Sequence, residues 1–102
     1  MSDENVQQLI ALTEQLTDRM RQDAEAFEAR RPFEAAGRIE ETQRLANLYR
    51  RESDRVRQNP ALIAGGSLSM RQRLARASES FEATLARHGR AVSRVAMRAP
   101  GP

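Results

Sequence analysis

The chain has 102 residues, room for one domain, with 17 basic and 14 acidic side chains and a net charge of +3. Ala, Glu, Leu and Arg supply 52 residues; there is no Lys, Cys or Trp, and there is one His. With helical periodicity that composition specifies long helices. β-branched and aromatic residues are too scarce for a β-sandwich or a doubly wound α/β domain. The lack of Cys removes disulfides, thiol nucleophiles and thiolate metal sites.

The first helix is expected over residues 3–31. Asp3 and Glu4 suit the positive end of its dipole. Val6, Leu9, Thr13, Leu16, Met20, Asp23 and Phe27 recur at alternating steps of three and four, the spacing of a heptad seam. Ile10, Leu12 and Ala24 widen that stripe. The run Leu9-Ile10-Ala11-Leu12 is too short for a signal segment or a membrane span, so a soluble, cytoplasmic protein is expected.

Pro32 fits the first turn of a second helix, expected over residues 33–58, and the residue before it is biased out of the α region. Its seam reads Ala35, Ile39, Thr42, Ala46, Tyr49, Ser53 and Val56. Ala, Thr and Ser occupy four of those seven positions, so the core is thin. Gly37 is an interior defect worth about 1 kcal/mol relative to Ala. Asn59-Pro60 stops this helix. Residues 59–68 form a linker in which Leu62 and Ile63 are expected to pack as a short turn. A capping box of Ser69 with Gln72, with Leu68 as a staple, opens the third helix, expected over residues 69–97. Leu74, Ala77, Phe81, Leu85, His88, Val92 and Val95 form its seam, and a disordered tail is expected over residues 98–102. The fold expected is an all-α, antiparallel three-helix bundle, a helical hairpin plus a third helix with coiled-coil-like packing, in a single domain.

Charge is uneven. Residues 1–58 carry twelve acidic and ten basic side chains, whereas residues 59–102 carry two acidic and seven basic. A basic third helix fits either an acidic partner or simple packing beside the acidic first helix. Nucleic-acid binding is disfavoured, because Phe27, Tyr49 and Phe81 lie on seams and leave Phe33 alone to stack on bases. His88 lies on the third seam with no nucleophile or carboxylate motif beside it. The carboxylates lack the Glu-x-x-His spacing of di-iron bundles, and Gly65-Gly66-Ser67 lacks the P-loop lysine. No catalytic residue, metal site or cofactor is expected, and the chain reads as a non-enzyme.

Leu45-Ala46-Asn47-Leu48-Tyr49-Arg50-Arg51-Glu52, then Asn59-Pro60-Ala61-Leu62-Ile63, then Phe81-Glu82-Ala83-Thr84-Leu85-Ala86-Arg87-His88 together resemble the small FlgN-like flagellar proteins of alphaproteobacteria. The resemblance covers residues 9–95. It implies an all-helical cytoplasmic export chaperone or a related flagellar assembly factor. Chaperones of this type hold hook-filament junction proteins and present them to the secretion machinery through a C-terminal amphipathic region. Met97-Arg98-Ala99-Pro100-Gly101-Pro102 departs from the family, whose third helix runs on.

The residues expected to bind the partner are Leu74, Phe81, Leu85, Val92 and Val95, with Arg90 and Arg94 steering an acidic client. On periodicity alone, bundle core is the better reading for Leu74, Phe81 and Leu85. Val92 and Val95, near the helix end, are expected to be more exposed than Leu74 and Phe81. The expected partners are flagellar hook-junction or export components. The alternatives are a self-associating coiled-coil protein, such as a homodimer, and an Arg-rich nucleic-acid-binding module.

Overall fold

The computed structural model describes residues 2–98, with side chains over residues 3–94. In chain order the elements are α1 (Ser2–Glu28), α2 (Pro32–Ala36), α3 (Ile39–Gln58), α4 (Ala61–Ala64) and α5 (Leu68–Arg98). Among the described residues there is no strand, and no helix is long and apolar enough to cross a membrane. The fold is all-α. The expected tail falls on residues 98–102; Arg98 ends α5, and residues 99–102 lie outside the described ones.

The other helices pack on α1. Val6, Leu9, Ile10, Thr13, Leu16, Thr17, Met20, Asp23 and Ala24 are all buried, so each heptad adds an adjacent position to the expected seam. A stripe that wide serves two neighbours at once. The two buried threonines satisfy their hydroxyls locally: Thr13 Oγ1 donates to the Leu9 carbonyl at 2.7 Å and Thr17 Oγ1 to that of Thr13 at 2.6 Å. Leu16, Met20 and Leu45 form a core cluster, and Leu12, Ala46, Tyr49 and Phe81 pack against it.

Cross-helix pairs give the topology. Arg19–Glu41 at 2.7 Å and Asp23–Arg38 at 3.0 Å set α3 antiparallel to α1. The Ser67 N–H donates to Asp3 Oδ1 at 2.7 Å near the start of α1, and Arg87 meets Glu28 at its end, so α5 returns parallel to α1. The result is a rod of 54 × 21 × 19 Å.

Several local features differ from expectation. The first helix stops at Glu28, three residues before Arg31, because Arg30 turns into the left-handed region at φ 62°. The Arg30 N–H reaches the Phe27 carbonyl at 3.1 Å and the Arg31 N–H that of Ala26 at 2.7 Å. This pair of bonds is a Schellman motif, usually built on glycine. The second helix breaks into α2 and α3, because Arg38, at φ −116° and ψ 5°, leaves helical geometry. That break places its guanidinium on the buried Asp23 carboxylate. It also resets the helical phase: Ile39, expected on the seam, is exposed, and Leu45, which is not a member of that seam, is buried.

The linker contains α4, with Leu62 and Ile63 half-buried. The cap of α5 is Ser67, whose Oγ accepts the Met70 N–H at 3.3 Å, and not Ser69; Leu68 is exposed and staples nothing. Ser67 prevails because Asp3, far away in sequence, also anchors its backbone N–H. On α5 the buried phase passes through half-buried Thr84 and buried Ala91, leaving Leu85 48% and Val92 39% exposed. A straight helix drifts by about 20° per heptad, and the small side chains of Thr84 and Ala91 permit a closer approach to α1 than Leu85 and Val92 would.

Candidate functional site

The small seam of α3 leaves space between α3 and α5. Leu16 and Met20 of α1 form the floor of an open groove of about 380 Å³. From α3 it is lined by Thr42, Ala46, Tyr49, Arg50, Ser53, Asp54 and Arg57, and from α5 by Phe81, Leu85 and His88. The α3 positions recur at helical spacing because they share one face. Tyr49 and Phe81 span the groove as a stacked pair, with ring centroids 4.7 Å apart and planes at 26°. An apolar floor with a few polar groups on the walls suits the burial of one face of an amphipathic segment.

The polar groups are placed at the rim. Arg57 pairs with Asp54 at 3.3 Å, both on α3. Arg50 is exposed and has no acidic partner within ion-pair distance among the described residues. The Thr42 hydroxyl, on the groove wall, is buried and unpartnered among the described residues. His88 is half-buried and meets Phe27 edge-on, with centroids 5.9 Å apart at 78°. That contact accounts for it as a packing residue that ties α5 to α1. Among the described residues, no group of three Asp, Glu or His side chains comes together as a metal site.

The expected partner-binding residues divide. Phe81 and Leu85 meet on the groove wall. Leu74 is half-buried on α5 outside the groove lining. Val92 is more exposed than Leu74 or Phe81 and lies beyond the lining. The Val95 side chain lies outside the described ones. Arg90 and Arg94 are exposed and flank Glu28 instead. The Glu28 carboxylate accepts two hydrogen bonds from Arg87, at 2.6 and 3.0 Å. These bonds, together with the fields of Arg87, Arg94 and Arg90, hold its pKa below the ordinary carboxylate value. Arg87 is thus an inter-helix partner, and this part of the basic helix packs beside the acidic end of α1.

Periodicity places Leu16, Met20, Thr42, Ala46 and Tyr49 on seams and marks none of them as a site. The signal that marks them is the run of small residues on the second seam: such side chains cannot fill the space between two larger faces.

The chain matches no protein-family model, and no solved structure matches it. A curated protein of Caulobacter vibrioides, "Flagellar basal-body protein FlbY", is 55% identical over 91 residues, which make up 89% of this chain and 61% of that protein. The chain therefore spans less than two-thirds of the length of this relative. Over the matched stretch, the chain is similar to this flagellar basal-body protein.

Proposed function

We propose that the chain is a non-enzymatic flagellar assembly protein of the FlgN-like kind, acting in the cytoplasm as an export chaperone for an amphipathic helix of hook-filament junction proteins. The observation that carries this reading is the open groove floored by Leu16 and Met20, in a chain 55% identical to a flagellar protein. A helix laid along α3 and α5 covers Phe81 and Leu85 with its apolar face and meets Arg50 at the rim. An acidic flank on the client favours encounter through charge complementarity.

The test is a pull-down with the tagged full-length chain from flagellated cells, comparing the parent with Leu85→Asp/Val92→Asp. Both positions are exposed, so helicity by circular dichroism stays at the parent level. Hook-junction proteins are recovered by the parent and lost by the variant. Equal recovery by both chains rejects the groove as the docking site.

A further inference from the structure

The outward face of α5 has features that the bundle itself does not use. Leu85 is 48% exposed, and Glu82, Ala86, Gly89 and Arg90 beside it are exposed as well. Gly89 sits inside a long helix, where glycine is unfavourable, yet a Cβ there would meet nothing within 4 Å. No contact within the chain explains it, whereas close approach of another helix would. Charge along this face is segregated: Glu79 and Glu82 lie before Leu85, and Arg90 lies after it. Among the described residues none of these three has an ion-pair partner, since Glu28 is already engaged by Arg87.

We propose that α5 pairs antiparallel with α5 of a second copy of this chain, about a two-fold axis near Ala86. In that register Glu82 of one copy faces Arg90 of the other, and the symmetry repeats the pair. Leu85 packs near its own mate, and Gly89 lets the two backbones approach. A parallel pairing sets Glu79 beside Glu79 and Arg90 beside Arg90, so the charge pattern selects the antiparallel form. A nucleic-acid or acidic-protein partner would account for the arginines but not for the two glutamates that precede Leu85.

The experiment is sedimentation velocity on the full chain over a concentration series. The parent forms a dimer. Glu82→Arg and Arg90→Glu each weaken association by roughly tenfold or more, because the symmetric pairs turn from attractive to repulsive. Mixing the two reversed variants restores a dimer of one of each. Gly89→Leu favours the helix but blocks the close approach, and it also gives a monomer of unchanged helicity. A parent chain that stays monomeric overturns the proposal, as do reversed variants that associate like the parent.

Discussion

Gly66 lies buried between α4 and α5, where the chain crosses the first turns of α1. A Cβ at this position would stand 3.0 Å from Val6 Cγ2, 3.1 Å from the Ile63 carbonyl oxygen and 3.4 Å from Asp3 Oδ1. None of these atoms retreats easily. Val6 is fully buried, and a β-branched side chain in a helix is held to one rotamer. The Ile63 carbonyl accepts the N–H of Gly66 itself at 2.8 Å, and the Asp3 carboxylate accepts that of Ser67 at 2.7 Å. Gly66→Ala therefore pushes the α4–α5 turn off α1, with the overpacking penalty of about 1–3 kcal/mol. For a domain of this size each kcal/mol lowers the melting temperature by about 4–8 °C, so a drop of roughly 5–20 °C is expected. The control is Gly37→Ala, whose new Cβ meets only the carbonyls of Phe33 and Glu34 at 3.9 Å, with φ at −68°. That change is neutral or stabilising by up to about 1 kcal/mol. Thermal melts followed by far-UV circular dichroism separate the two. A Gly66→Ala chain that melts at or above the parent temperature would refute the close-approach argument.

Arg30→Gly relieves a left-handed arginine at φ 62° and is expected to stabilise the chain by about 1 kcal/mol in urea unfolding. Asp23→Ala leaves the Arg38 guanidinium, partly buried, without its carboxylate; the expected loss is about 2 kcal/mol, and adding Arg38→Met recovers part of it. Glu28 has a folded pKa below its unfolded value of about 4.3. Its contribution to stability is therefore present above that value and lost as pH falls through the lowered folded pKa. Unfolding midpoints measured from neutral to acid pH decline less for Glu28→Gln than for the parent; an identical decline would remove the Arg87 pair from the acid response.

Local chemistry decides most of the secondary structure. The seam from Val6 to Phe27, the Pro32 start, the Asn59-Pro60 stop and the long stripe beginning at Leu74 each follow from residues within a few turns of one another, because helix formation depends on neighbours at 3.6-residue spacing. The low apolar content of the second seam was also legible, and the groove is its direct consequence. Tertiary structure decided the phase of each helix and the places where it breaks. Asp23 needs a cation from another helix, so Arg38 interrupts the second helix there. Asp3 reaches Ser67 across 64 positions of chain and moves the cap of α5 two residues ahead of the expected one. Thr84 and Ala91, not Leu85 and Val92, face α1, because two helices at close range favour the smaller side chains at their contact. Periodicity shows which residues share a face. It leaves a one-residue choice of phase that only the opposing helix resolves, and in this chain that choice puts Phe81 and Leu85 on the groove wall and leaves Val92 open to solvent.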